Sequence, residues 1–190
     1  GLISLKAMNK KGEGSAFHIL EAMQWIFDNR EKYAIKVACM SFGTEPLEEN
    51  DPLVLGAEAL WRSGVVVVAS AGNSGPKTDT VTSPGICPEI ITVGAAGFRG
   101  REVYVPDFSS RGREDDVIKP ELIAPGVDIN CCSNADHYMI LSGTSMAAPV
   151  VAGYCADILS VYPEYTPDKV KEILIENAVK VSAPPLSAGY

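Results

Sequence analysis

A chain of 190 residues, 46% of them apolar and with a formal net charge of −8, is long enough to bury a substantial core and fits one domain with at most an appendage. That composition excludes the disordered and collagen-like classes, and an acidic chain with no clustered basic face is not expected to take nucleic acid as a partner. No apolar run reaches the roughly 18 to 20 residues of a membrane span, and no basic stretch followed by an apolar one marks a signal peptide, so no membrane partner is expected.

In chain order, residues 2–8 read as a strand. Ser15 then caps a helix whose apolar face carries Ile19, Met23, Ile26 and Phe27 and which stops near Asn29. Residues 35–40 are the next strand. Asp51 followed by Pro52 is a cap with a first-turn proline, opening a helix that closes near Gly64. Residues 65–70, V-V-V-V-A-S, have the unbroken β-branched character of a strand buried on both faces. Residues 90–95 form another strand, 97–120 an irregular surface excursion, and 121–124, 127–131 and 137–141 short β pieces. Helices start at Thr144, running towards Tyr162, and at Pro167, ending near Val179. The P-P of S-A-P-P-L-S-A-G-Y is a loop before a last strand. Strand and helix alternate, which predicts an α/β fold: a three-layer, mostly parallel sheet with helices on both faces. The acidic runs L-E-E-N-D and R-E-D-D read as solvated loops.

Five cysteines, Cys39, Cys87, Cys131, Cys132 and Cys155, are an odd number, and three sit in runs that look buried. That pattern points to a reducing cytoplasm, with a secreted parent that has lost its leader as the alternative. A zinc site on Cys131, Cys132 and His137 fails on spacing, because adjacent cysteines rarely both reach one tetrahedral ion.

Two segments concentrate chemistry. In L-S-G-T-S-M-A-A-P-V-V-A-G a strand ends at Leu141 and a helix begins with Thr144 and Ser145. That places the Ser145 hydroxyl at a helix N-terminus, a position that favours negative charge. Ala147, Ala148 and Gly153 are small enough to let this helix lie close to the sheet. In A-S-A-G-N-S-G-P, Asn73 sits on a tight turn after the buried strand. A dinucleotide loop is the rival reading, but Pro76 and a polar run follow instead of an apolar-periodic helix.

Five segments, S-G-T-S-M-A-A-P-V-V-A-G, V-V-V-V-A-S-A-G-N-S-G-P, D-F-S-S-R-G, K-P-E-L-I-A-P-G-V and A-C-M-S-F-G, together resemble the subtilisin-like serine proteases, or subtilases. They run in the family's order and cover nearly the whole chain. The resemblance implies a serine endopeptidase acting on polypeptide substrates, with Ser145 as nucleophile and Asn73 as side-chain donor to the oxyanion; Thr144 would support the loop. A serine hydroxyl is a weak nucleophile without a neighbouring base, and the tetrahedral intermediate concentrates charge on one oxygen. The resemblance further implies that a peptide adds as a strand to Gly12, Glu13 and Gly14 on one side and Ser41, Phe42 and Gly43 on the other. Ala71, Gly72 and Thr82 would line the pocket for the residue before the scissile bond, with Ala16, Ile19 and Phe42 further along.

Subtilases carry their triad in the chain order Asp, His, Ser, and neither His18 nor His137 has the H-G-T-H-V-A surroundings that the resemblance demands. His18 reads as a helix-face residue, His137 as a loop-end residue and Asp51 as a cap. Residues 1–190 are therefore expected to be the C-terminal portion of one peptidase domain whose N-terminal part is absent. The triad Asp and His would come from that missing half, as part of the same protein or as a second chain, and this piece alone would be inactive. The alternative is a pseudoprotease that binds peptides without cutting them. Val150 stands where the family frequently has His, at a structural position. Gly97 falls where some members have an acidic ligand, so no metal is expected; no cofactor is implied.

Overall fold

The computed structural model describes every residue except Glu48, Glu49, Asp115, Asp116, Asn134 and Ala135. The four acidic ones belong to the runs expected as solvated loops, and for them that expectation lies outside the described residues; of the rest of those runs Leu47, Asn50, Arg113 and Glu114 are exposed, whereas Asp51 is buried.

The elements follow as α1 (Ala16–Tyr33), β1 (Val37–Met40), α2 (Pro52–Arg62), β2 (Val66–Ser70), β3 (Ile91–Arg99), β4 (Glu102–Tyr104), β5 (Leu122–Pro125), β6 (Ile129–Cys132), β7 (Tyr138–Leu141), α3 (Thr144–Val161), α4 (Pro167–Glu176) and α5 (Pro185–Ala188). Strands β1, β2, β3 and β5 form a parallel sheet in that spatial order, with Val37 opposite Val66, Val68 opposite Ile91 and Val93 opposite Leu122. β4 pairs antiparallel with the far end of β3, and β6 with β7 forms a separate ribbon. Helix α3 lies along the parallel strands, while α2 packs on β2 with α1 against it. Both faces of β2 are thus covered, and all five of its residues are buried, as an unbroken β-branched run requires.

Ser15 and Asp51 are the caps expected from sequence, and Thr166 is a third that the structure adds. Ser15 Oγ accepts from His18 N–H at 3.4 Å, and buried Asp51 accepts from Leu53 N–H at 2.9 Å and Leu47 N–H at 3.1 Å. Thr166 Oγ1 accepts from Lys169 N–H at 3.3 Å. α1 continues past Asn29 to Tyr33, and Ala34, in the left-handed region at φ 50°, ends it.

Four expectations need correction. Residues 2–8 form no strand: no described strand lies hydrogen-bonded beside them, and Leu2 is 97% exposed. A strand has no satisfied backbone without a neighbour. The last expected strand is instead the one-turn helix α5. The excursion at 97–120 is not all surface, because β3 runs on to Arg99 and turns back into β4, and Ser109, Ser110 and Lys119 are buried. Finally, α3 is by length and composition apolar enough to cross a bilayer, with 18 residues at mean hydropathy 1.3. Thr144, Ala147, Ala148, Val151, Cys155 and Leu159 form a buried stripe at helical spacing on it, against the sheet. Gly153 lies off that stripe, exposed, with nothing within 4 Å of where a Cβ would stand. It faces an open apolar groove of about 1000 Å³, also lined by Leu5, Ile19, Ile26, Cys39 and Ala152. β1, with β2 as its one partner among the described residues, forms the sheet edge at this groove.

Of the cysteines, Cys87 and Cys155 are buried and Cys39 is exposed on β1; all five are free thiols.

Candidate active site

The parallel sheet brings the C-terminal ends of β1 and β2 next to the first turn of α3. Chain leaving β1 carries Ser41, Phe42 and Gly43; chain leaving β2 carries Ala71, Gly72 and Asn73; α3 begins with Thr144 and Ser145. Loops at the carboxyl ends of adjacent parallel strands are where open α/β sheets place their sites.

Thr144 ties the second and third of these together. Fully buried, it donates its N–H to Asn73 Oδ1 at 2.9 Å and its hydroxyl to the same oxygen at 3.2 Å, while its Oγ1 accepts from Gly72 N–H at 3.1 Å. A backbone N–H can only donate, so the atom it meets on Asn73 is the oxygen, and the amide nitrogen is turned the other way. The Asn73 side chain is thereby presented as a fixed N–H donor on an exposed turn. Gly72 has φ +105°, a region that favours glycine, and a Cβ there would stand 2.9 Å from Ser110 Oγ and from Thr82 Cγ2.

Ser145 is half-buried, and its Oγ donates to the Ser41 carbonyl at 3.2 Å. In return Ser41 Oγ donates to the Ser145 carbonyl at 3.0 Å. That carbonyl would ordinarily accept from the N–H four residues on, but residue 149 is proline and has none. The Ser41 hydroxyl supplies the missing bond. As the second residue of α3, Ser145 has no intrahelical acceptor for its own N–H.

Below this pair the wall is closed by Thr82. Its N–H and Oγ1 donate to the carbonyl of fully buried Ala71 at 3.0 and 3.4 Å. Its side chain fills the space over Gly43, where a Cβ would come within 2.1 Å of Thr82 Oγ1. The segment leaving β1 is pinned to this loop by the Thr44–Ser83 bridge, with N–H to carbonyl distances of 3.1 and 3.0 Å.

Contacts therefore join Ser145, Asn73, Thr144, Ser41, Gly43, Ala71, Gly72 and Thr82 into one cluster. Phe42 packs against the core and its carbonyl accepts from Ser70 Oγ at 3.4 Å. Gly12, Glu13 and Gly14 lie in a separate exposed turn, closed on Asn9: Asn9 N–H donates to the Glu13 carbonyl at 2.8 Å and Glu13 N–H to Asn9 Oδ1 at 3.1 Å. Among the described residues no hydrogen bond links this turn to the cluster. Of the outlying pocket residues, Ala16 is exposed and Ile19 is buried in the core. Neither histidine reaches Ser145: exposed His18 pairs with Ser15 Oγ at 3.1 Å, and exposed His137 lies at the β7 end of the ribbon, its carbonyl accepting from Ser133 N–H at 3.0 Å.

Sequence reasoning missed two supports. Ser110, fully buried, accepts from Ser74 N–H at 3.1 Å through Oγ and donates its N–H to the Gly72 carbonyl at 3.0 Å, holding the Asn73 turn from behind. Its signal was the D-F-S-S-R-G segment, which had no assigned role. Ser41 was expected only to meet a substrate, although Pro149 in the sequence already announced a carbonyl in need of a donor.

The Subtilase family profile matches residues 2–190. The chain is 37% identical over 203 residues to serine protease AprX of Bacillus subtilis (strain 168), an alignment that covers 91% of this chain and 45% of AprX. It is 33% identical over 182 residues to subtilisin DY of Bacillus licheniformis, covering 95% of this chain and 61% of that protein. It thus spans less than two thirds of the length of these relatives. Among solved structures, the S41 psychrophilic protease superposes with a TM-score of 0.83 at 28% identity, over 95% of this chain and 64% of its own. Sphericase does so at 0.81 and 28%, over 90% and 58%.

Proposed function

Because this chain belongs to the subtilase family of serine proteases, we propose that residues 1–190 supply the nucleophile and oxyanion donors of a serine endopeptidase, with Ser145 as nucleophile and Asn73 as side-chain donor. The observation that carries the reading is the pair of hydrogen bonds that Thr144 donates, through its N–H and its hydroxyl, to Asn73 Oδ1. It aims an amide N–H from the loop after β2 beside the first turn of the helix that bears Ser145. A donor held in place before charge develops costs no reorganisation when the tetrahedral intermediate forms, which is the condition for strong oxyanion stabilisation. The Ser145 N–H at the start of α3 is the natural second donor.

The Ser145 hydroxyl donates to a carbonyl, which cannot take its proton away. Attack on a peptide carbonyl needs a base, and the proton must pass to it as the Oγ–carbon bond forms. In this reading the triad His, and the Asp that orients it, come from a segment outside residues 1–190. The apolar groove beside the β1 edge is a surface on which such a segment would be buried. Extended peptide substrates would pair with the segment Ser41–Gly43, with Ala71, Gly72 and Thr82 around the side chain before the cut. Gly12, Glu13 and Gly14 would form the opposite rim.

A serine-directed phosphonate tests this. The 190-residue chain alone should be inert to peptides and barely labelled; addition of the preceding half of the domain should produce labelling at Ser145, and Ser145→Ala should abolish it. Robust peptide hydrolysis by the isolated chain would overturn the assignment of the base to another segment. Undiminished labelling in Ser145→Ala would overturn the nucleophile.

A further inference from the structure

Thr144 fixes one end of the Asn73 side chain and leaves the other to the backbone. Its two hydrogen bonds hold Oδ1, but the amide nitrogen can still pivot about that oxygen unless the Asn73 Cα is held as well. Asn73 and Ser74 are both exposed, so packing contributes little there. The peptide planes on either side of Asn73 are instead bonded to one residue. The Gly72 carbonyl accepts from Ser110 N–H at 3.0 Å, and Ser74 N–H donates to Ser110 Oγ at 3.1 Å.

Ser110 is well anchored. It is fully buried and follows Ser109, also fully buried, whose Oγ accepts from Ala95 N–H of β3 at 3.0 Å. Past the turn, Gly75 N–H donates to the Phe108 carbonyl at 3.0 Å. Residues 108–110 are thus bonded to the parallel sheet on one side and to the Asn73 turn on the other. Gly72 permits the close approach, since a Cβ there would stand 2.9 Å from Ser110 Oγ. Of the two bonds flanking Asn73, the one from the Ser110 N–H belongs to the backbone and survives substitution. The one to the hydroxyl does not, and its loss would strand the Ser74 N–H and leave the Asn73 Cα held from one side only.

We infer that Ser110 is a positioning residue for the oxyanion donor: buried beyond the reach of substrate, its hydroxyl holds the peptide plane after Asn73 and so sets the point at which the Asn73 amide N–H meets the developing charge. A misplacement of about 1 Å can cost about 10²-fold, and the loss is bounded by that of the donor itself, about 10² to 10³-fold. The inference rests on the reading of Asn73 as oxyanion donor.

Steady-state kinetics of the intact protein, including the segment that carries the base, test it in a double-mutant cycle. Ser110→Ala should lower kcat by about 10 to 100-fold at nearly unchanged KM. The pH profile should keep its shape, because the base is not moved. In an Asn73→Ala background the same substitution should change kcat by less than about twofold, since the group it positions is gone. Equal losses in the two backgrounds would show general damage to the fold and overturn the inference. So would full kcat in Ser110→Ala, or a loss accompanied by a shifted pH profile. Undiminished kcat in Asn73→Ala would remove the oxyanion reading itself, and the inference with it. A normal loss in Asn73→Ala beside an unaffected Ser110→Ala would overturn the inference alone. If Ser110→Ala does not fold, Ser110→Cys decides in the same cycle, because sulfur is only a weak acceptor: a kcat loss confined to the chain that keeps Asn73 supports the role, and equal or absent losses overturn it.

Discussion

Ser41 and Ser145 hold each other by reciprocal hydrogen bonds, each hydroxyl donating to the other's carbonyl, at 3.0 Å from Ser41 and 3.2 Å from Ser145. The first of these exists because Pro149 leaves the Ser145 carbonyl without a helical donor. Ser41→Ala should therefore destabilise the protein by about 0.5 to 1.5 kcal/mol, the net worth of one such bond. In a Pro149→Ala background, where residue 149 regains an N–H, the same substitution should cost less. Denaturant midpoints at unchanged slope for the two single variants and the double variant measure the coupling. Strictly additive costs would show that the Ser41 hydroxyl does not stand in for the missing helical bond.

Asn73→Ala should strike turnover and leave KM nearly unchanged in the intact protein, since the charge its amide meets develops only in the transition state. The expected fall in kcat is about 10² to 10³-fold, a magnitude established on a subtilisin and not obtained from this geometry. Steady-state kinetics on one peptide decide it. A rise in KM at constant kcat would make Asn73 a ground-state binding group instead.

Thr82 stands over Gly43 and against Gly72, so it occupies volume at the base of the proposed pocket. Small and medium residues before the cut should be preferred to Phe or Tyr, and Thr82→Gly should shift the Leu-to-Phe ratio of kcat/KM towards Phe by about 10 to 100-fold. The same packing gives an independent control. Gly43→Ala would drive a methyl into Thr82 and should cost about 1 to 3 kcal/mol, a cost that Thr82→Gly should remove. An unchanged ratio together with a rescued Gly43→Ala would separate the packing, which holds, from the pocket, which would then lie elsewhere.

Burial pushes the Cys87 thiol up to about 11 and the Cys155 thiol up to about 12. Near pH 8 the folded protein keeps about 10⁻³ or less of either as thiolate, so iodoacetamide should spare both until denaturant is added. Because the folded values lie above the ordinary 9.0, folding favours the protonated thiols. Their contribution is complete below pH 9 and is lost as pH rises through the folded values. Unfolding midpoints should fall with alkalinity over that window, and less steeply in Cys155→Ala. Rapid alkylation of Cys155 in the native protein near pH 8 would contradict the burial argument.

Much of this protein is determined by short-range sequence. The β2 run can only be a doubly buried strand, Asp51–Pro52 and Pro167 can hardly be anything but helix starts, and Gly72–Asn73 demands a turn; each follows from a few neighbouring side chains and their backbone preferences. The order of the five segments was enough to bring Asn73 and Ser145 under suspicion together. Tertiary structure decided what depends on a neighbour distant in sequence. Residues 2–8 have the composition of a strand but lack an adjacent strand to bond, and the end of the chain coils into α5 where alternation suggested another strand. Lys119 falls in the segment read as a surface excursion, and only the approach of Lys171 from α4 and the Pro88–Ile90 carbonyls lets it and Glu121 be buried. Gly153, read as a close contact with the sheet, turns away because the buried stripe of α3 passes through Val151 and Cys155 instead. Local preference is a property of the chain, whereas a hydrogen bond or an ion pair across 50 or 100 residues exists only once the sheet has brought both partners to one place.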